Sequence, residues 1–177
     1  MMTASSCSSA GGSDADGPRV AGLPQDVGGI VVRDAAREST WVYGAMPICL
    51  ESAGQVRLLQ LRPSLVNSAE LVSFGVRLPG PGVEGIATVP GPLPSTYQPL
   101  EGLTVSDVCA EGELAPELAL EVRPNPDGSS AVDGVELVYD DGSGPQTARY
   151  HLDFVMCQGT DIAQGDPKLQ ACGEPPQ

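Results

Sequence analysis

Long runs in which apolar and polar residues alternate are the feature that most constrains the fold of this chain. In the run from Thr147 to Cys157, every second residue is apolar and the residues between them are mostly polar. The apolar positions are Ala148, Tyr150, Leu152, Phe154 and Met156. Side chains two residues apart share one face of a β-strand but not one face of a helix, so this run predicts a strand with one buried face.

A second alternating run, from Leu71 to Leu78, predicts another strand of this kind. Its inward face would consist of Val72, Phe74, Val76 and Leu78, and its outward face of Ser73, Gly75 and Arg77. Turn signals separate seven strand-like segments, and none of them has a helical apolar stripe. The segments are residues 41–50, 55–62, 71–78, 103–109, 117–123, 131–139 and 147–157. The chain is therefore predicted to be an all-β protein, an antiparallel β-sandwich that is immunoglobulin-like or related.

Two turns that combine Asp with Gly, at 124–128 and 140–144, separate the last three segments. Asp stabilises tight turns through local hydrogen bonds and Gly supplies positive φ angles, so residues 117–157 are predicted to form a three-stranded antiparallel meander. The likeness to an immunoglobulin domain is limited, because Trp41 precedes Cys49 instead of following it.

The length of 177 residues leaves room for one domain with tails. Residues 1–38 are rich in Ser, Gly and Asp, and we expect a flexible, disordered tether there, with a short peripheral strand in the apolar run 27–32. Residues 39–157 are predicted to form the sandwich domain, and residues 158–177 a C-terminal tail. No apolar run approaches the ~20 residues that a membrane-spanning helix needs.

Four of the five cysteines lie in or beside the predicted domain, and this indicates two disulfides in an oxidising compartment. They permit three pairings, among which the sequence does not decide. We favour Cys49 with Cys109 and Cys157 with Cys172, because the second disulfide would attach the polar C-terminal tail to the domain. The absence of any Cys-x-x-Cys pair argues against a zinc site.

The fifth cysteine, Cys7, lies in a Ser- and Gly-rich stretch and is a candidate lipidation site. A bacterial lipoprotein cysteine follows an apolar signal segment that ends in small residues, and the sequence before Cys7 provides only the small residues. We therefore expect hydrophobic in-frame coding sequence upstream of Met1. An incidental thiol in a tail is the alternative.

The formal net charge of −14 makes binding to nucleic acids unfavourable, because the chain repels phosphate backbones. No cofactor is predicted, since the glycines form no phosphate-binding motif and the acidic turns do not match a calcium loop. His151 lies near Asp153 on the last strand, but no Gly-x-Ser-x-Gly nucleophile motif accompanies them. We predict that the chain is not an enzyme and that His151 is a surface residue.

The segment 79–102 is rich in proline and glycine, so we expect a long loop with a short edge strand at 85–89. Leu93 and Tyr97 are the candidate ligand contacts in this loop. The alternative, which we favour, is that the loop only covers one end of the sandwich.

Several short motifs recur in a familiar order along residues 41–157. They are Tyr43-Gly44, Pro47-Ile48-Cys49-Leu50, Phe74-Gly75-Val76-Arg77, Val105 to Cys109, Glu117-Leu118-Ala119-Leu120 and a strand closing at Cys157. This order resembles that of small, uncharacterised secreted or lipid-anchored β-sandwich proteins of actinobacteria. The resemblance implies an extracytoplasmic β-sandwich and brings no catalytic residues.

Together, these features predict a secreted or cell-envelope binding module, attached peripherally to the membrane if Cys7 is lipidated. Its partner would be a protein or another envelope component. A structural or accessory envelope protein is the main alternative. An extracellular hydrolase is a further one, and it would require His151 and Asp153 to meet a hydroxyl nucleophile in a cleft.

Overall fold

A computed structural model describes residues 17–22, 29–35, 38–80, 88–110, 115–159 and 166–173, and these residues are mostly β. Nine strands lie in the described ranges, followed by a C-terminal 3₁₀ helix at Pro167–Gly173. The strands are β1 (Ile30–Val32), β2 (Trp41–Pro47), β3 (Val56–Val66), β4 (Glu70–Arg77), β5 (Thr88–Pro90), β6 (Thr104–Val105), β7 (Glu117–Arg123), β8 (Ser130–Asp140) and β9 (Pro145–Met156).

The strands form two sheets that pack against each other. The five-stranded sheet has the order β1-β9-β8-β3-β6, and the four-stranded sheet has the order β4-β7-β2-β5. All neighbours are antiparallel except β1, which pairs in parallel with β9. The predicted all-β class is confirmed, and the sheets are largely antiparallel as expected.

The core lies between the sheets, and the alternation of β9 fills much of it. All five alternate apolar side chains of β9 are at most 6% exposed and belong to one buried cluster. The ring of Phe154 packs against Tyr43 of the opposite sheet, with 5.2 Å between ring centroids. The predicted inward face of this strand is therefore confirmed.

The predicted inward face of β4 is partly wrong. Phe74 and Val76 face the core as predicted, but Val72 and Leu78 are exposed, and Leu71 packs against the core instead. Leu78 lies beyond the end of β4 at Arg77. The register of β4 against β7 shifts between Leu71 and Ser73, which leaves Val72 as an extra residue. A bulge of this kind interrupts the alternation, so the positions before it face the other way from the pattern predicted.

The predicted meander of residues 117–157 is also wrong in part. Strands β8 and β9 form a hairpin, but β7 belongs to the other sheet. The turn at 124–128 therefore crosses between the sheets. Five consecutive residues of β7, Leu118 to Val122, are buried, because the segment after β5 covers the face of β7 that points away from the core.

The packed domain begins earlier than the boundary predicted at residue 38. Val20 is buried and forms a β-bridge with Leu50, and Ala35 is completely buried. β1 lies within the apolar run expected to form a peripheral strand, and it pairs with the edge of β9. The predicted tether is thus corrected for residues 17–22 and 29–35, while Cys7 lies outside the described residues.

The structure contains two disulfides, Cys49–Cys109 and Cys157–Cys172, which are the pairs favoured from the sequence. The second attaches the 3₁₀ helix to the domain, where the completely buried Leu169 packs with Val155 and Ala131. Two disulfides are typical of an extracellular or otherwise oxidising environment. Among the described residues, no helix has the length and apolar character required to span a membrane.

Candidate functional site

The predicted binding loop folds back onto the outer face of the four-stranded sheet. Tyr97 is only 8% exposed and packs with Val42, Ala119 and the partly buried Leu93. Backbone hydrogen bonds of 2.9 and 3.0 Å join Val76 and Gln98, so this segment also covers part of the β4 edge. The side chain of Tyr97 therefore holds the segment against the sheet, and its role as a ligand contact stays a prediction.

A polar network surrounds Tyr97 and explains why its ring can be buried. Its hydroxyl group donates a hydrogen bond to Glu117, and the guanidinium of Arg77 lies 5.2 Å from the ring centroid. Arg77 also forms a 2.9 Å ion pair with Glu117, and both side chains are largely buried. Burial raises the pKa of Tyr97, and the hydrogen bond to Glu117 raises it further, so the phenol stays protonated as a donor.

Glu121, on the same face of the sheet, fixes the start of this segment. Its carboxylate accepts hydrogen bonds from Ser73 Oγ at 2.7 Å and from the backbone N–H of Leu93 at 3.1 Å. Burial by itself raises the pKa of this carboxyl, but the hydrogen bonds, with one from Thr40 among them, hold the pKa below its usual value. A buried, ionised and fully bonded carboxylate here is a structural anchor.

His151 and Asp153 do not form the pair that a hydrolase would need. The carboxylate of Asp153 forms a 2.9 Å ion pair with Lys168, and Lys168 also contacts Asp133 at 2.7 Å. Hydrogen bonds to Asp133 and Asp153 raise the pKa of Lys168 to about 12. The side chain of His151 is half-buried and makes no hydrogen bond or ion pair with another residue that the structure describes.

A groove with a volume of about 280 Å³ lies on the outer face of the five-stranded sheet. Strands β3, β8 and β9 supply its walls and floor, so groups distant in sequence meet there. Its lining residues are Arg62, Pro63, Ser64, Asp133, Gly134, Val135, Glu136 and Arg149. We take this groove as the candidate functional site, because it combines a concave shape with several convergent polar groups.

The groove forms where the pairing of β8 is irregular on both sides. The register with β3 shifts between Pro63 and Leu65, and the register with β9 shifts between Asp133 and Val135. Gly134 lies at this point with a φ of 90°, and an added Cβ would lie 2.9 Å from the carbonyl oxygen of Tyr150. Glycine is therefore required here for β9 to approach so closely.

Three charged side chains form a row across this groove. The strand register places Arg62 beside Glu136 and Glu136 beside Arg149, so an arginine lies on each side of Glu136. Neighbouring strands are about 5 Å apart, which places the two arginine backbones about 10 Å apart. Arg62 donates two hydrogen bonds, of 3.1 and 2.9 Å, to the side-chain oxygen of Gln60. Among the described residues, no cluster of His, Cys, Asp and Glu has the arrangement of a metal site.

The groove could not be predicted from the sequence, since its residues come from three strands and the sequence does not show which strands pair. One sequence feature did indicate an irregularity there. Gly134 interrupts the alternating run 131–139, and an isolated glycine inside a strand is typical of a bulge or of a close backbone approach.

No protein-family model matches the chain, and neither a curated protein nor a solved structure matches it. The resemblance to actinobacterial envelope proteins therefore stays a prediction.

Proposed function

We propose that this protein is an extracytoplasmic, non-enzymatic binding module, and that the groove on the outer face of the five-stranded sheet is its ligand site. The observation that carries the proposal is the groove at Gly134, where charged side chains from three adjacent strands converge. A rigid sheet holds these side chains at fixed spacings, which reduces the entropy lost when a ligand binds.

The disulfide at the C-terminus supports this proposal, because it fixes one end of the groove. Cys172 is bonded to Cys157, and Lys168, four residues before Cys172, reaches Asp133 in the groove lining. The buried Leu169 holds the same helix against the sheet. A module that works outside the cytoplasm benefits from a site stabilised in this way, since disulfides persist there.

A structural or accessory role in the envelope is the alternative, and a groove-filling variant separates it from ligand binding. Small-molecule fragments are expected to shift backbone amide resonances at Ser64, Gly134 and Arg149 in ¹⁵N–¹H correlation spectra. Replacing the exposed Ser64 with Trp should abolish these shifts by occupying the groove. The matched control is Ser95→Trp, at an exposed position over the other sheet. Shifts that cluster elsewhere, or that persist in Ser64→Trp, contradict the proposal.

The non-enzymatic part of the proposal has its own test. Turnover of fluorogenic ester and glycoside substrates should stay at the rate of the buffer alone, and His151→Ala should change nothing. Hydrolysis that is lost in His151→Ala would favour the hydrolase alternative instead.

Attachment through Cys7 and an immunoglobulin-like or related strand arrangement are further parts of the proposal. Metabolic labelling with a radioactive fatty acid in an actinobacterial host should label the protein, and Cys7→Ser should lose the label. Absence of label in the unmodified protein would favour a secreted form. An experimental structure would decide the strand arrangement.

A further inference from the structure

We infer that the groove binds a small ligand through a single carboxylate group, which accepts hydrogen bonds from the guanidiniums of Arg62 and Arg149. This inference rests on the proposed function, because it names the chemistry of the ligand at the same site.

Two arginines of the groove have no ion-pair partner among the described residues, although the chain is strongly acidic. The chain has 23 acidic residues against 9 basic ones, so a basic side chain is expected to find a carboxylate partner. Ion pairs of this kind are made by Arg57, Arg77, Arg123 and Lys168. Arg62 and Arg149, in contrast, form no ion pair with any residue in the described ranges, and both line the same groove.

The local charges also favour a singly charged ligand. In the groove lining, Arg62 and Arg149 are balanced by Asp133 and Glu136, and Lys168, which contacts Asp133, also pairs with Asp153. The lining is therefore neutral in a chain with a formal net charge of −14. A singly charged carboxylate is repelled less here than over the rest of the chain, whereas a doubly charged phosphate would be repelled more strongly by Glu136 and by the rest of the chain.

The shape of the guanidinium group suits a carboxylate ligand. Guanidinium groups bind carboxylates through pairs of parallel N–H···O hydrogen bonds, and two arginines on neighbouring strands can each contact one of its oxygens. The exposed Ser64 provides a hydroxyl group at the same groove. The volume of about 280 Å³ is close to the lower end of the range for small-molecule sites, so the ligand is the size of a short peptide end or a single sugar acid.

The test is a titration followed by amide resonances of the groove, with two pairs of probes that differ in charge alone. N-acetylglycine is compared with N-acetylglycinamide, and glucuronate with glucose, so that the two arms distinguish an amino-acid source from a sugar-acid source. In at least one arm, the carboxylate should bind and its neutral counterpart should bind at least about 10-fold more weakly.

Variants then assign the binding to the two arginines. Arg62→Gln and Arg149→Gln should each weaken carboxylate binding about 10-fold, and Glu136→Gln should strengthen it, because the competing negative charge is removed. The control is Arg57→Gln, which removes the same charge from an exposed position paired with Asp140 on the same sheet. This variant should leave the affinity within about 2-fold.

Four outcomes overturn the inference, and they are distinguishable from failure of the proposed function. If the neutral probes bind the groove equally well, the site remains a binding site but the carboxylate is not what it recognises. Tighter binding of inorganic phosphate than of either carboxylate makes the ligand class wrong. Equal weakening in Arg57→Gln shows that only net charge matters. If no probe shifts the groove resonances while fragments in the previous experiment do, the carboxylate inference fails alone.

Discussion

Removing the two disulfides separately is predicted to have unequal effects, for a reason that the structure supplies. Cys49 and Cys109 are 60 residues apart, and Cys157 and Cys172 are 15 residues apart. If a disulfide acts only by restricting the unfolded chain, these loop lengths correspond to about 4 and about 3 kcal/mol of stability. The difference should be larger than this, because the two disulfides hold very different parts of the fold.

The first disulfide lies beside the core. The neighbouring Leu50 is completely buried, and the backbone N–H of Cys109 donates a 2.9 Å hydrogen bond to its carbonyl oxygen. The two cysteine positions therefore stay together after substitution, and the folded state hardly changes. The gain in entropy of the unfolded chain should therefore lower the free energy of unfolding in full. The double variant Cys49→Ala with Cys109→Ala is expected to lose about 4 kcal/mol of stability.

The second disulfide instead holds a 3₁₀ helix of seven residues at the surface. Without it, the helix is attached mainly by the buried Leu169 and the ion pairs of Lys168. The helix can then detach while the sandwich stays folded. The folded state of the variant gains conformational entropy in this way, which offsets part of the entropy gained by the unfolded chain. The double variant Cys157→Ala with Cys172→Ala should therefore lose about 1–2 kcal/mol, less than the loop length alone implies.

Urea unfolding monitored by Trp41 fluorescence measures both losses, since Trp41 Nε1 donates a 3.0 Å hydrogen bond to the Ala35 carbonyl in the folded domain. Amide hydrogen exchange at Leu169 provides the second measurement. It should become fast in the variant without Cys157–Cys172 and stay slow in the other. Equal losses of stability, or a protected Leu169 amide after removal of its disulfide, would refute the reasoning.

Three further predictions concern single residues. Gly134→Ala should destabilise the fold by about 2–4 kcal/mol, because the φ angle is positive and the β9 carbonyl is close. Gly142→Ala, at a φ of 94° with no atom within 4 Å of the added Cβ, should lose only about 1 kcal/mol. Thermal denaturation measures both losses. Glu121→Gln should lower the free energy of unfolding by about 1–2 kcal/mol at pH 7, measured by urea titration. The difference from the unmodified protein should vanish as pH falls, because the folded pKa of Glu121 is lowered and its ionised form stabilises the fold only at higher pH. The control Glu70→Gln, at an exposed ion pair, should show little change. Acylation of Lys168 at pH 8 should be about 30-fold slower than for an ordinary lysine, because the pKa of Lys168 is raised to about 12. Peptide mass spectrometry measures the rate. An ordinary rate would contradict the ion pairs with Asp133 and Asp153.

Much of the fold could be predicted from the sequence because strand formation here is a local property. The alternation from Thr147 to Cys157 identified both the strand and its buried face, since each side chain direction follows from its position along one extended segment. The same reasoning failed in β4, where a single extra residue at Val72 changed the face of the residues before it. Such a bulge depends on the partner strand, which the sequence of β4 alone does not contain.

The candidate site was the least predictable part, for the same reason. Tyr97 resembled an exposed loop aromatic, but the hydrogen bond to Glu117 and the cation of Arg77 keep it against the sheet. Arg62 and Arg149 are far apart in the sequence, and only the pairing of β3, β8 and β9 places them on either side of Glu136.

By itself, the sequence determined the all-β class and the approximate positions of most strands, because alternation and turn residues act within short stretches of chain. Its cysteine content indicated an oxidising environment. Only the tertiary structure decided which strands share a sheet, where β8 bulges and which charged groups meet, since each of these depends on contacts between segments far apart in the chain. Gly134, in the middle of β8, illustrates both contributions. A glycine inside a strand indicated an irregular strand from the sequence, and only the pairing of β8 with β3 and β9 shows that a groove lies there.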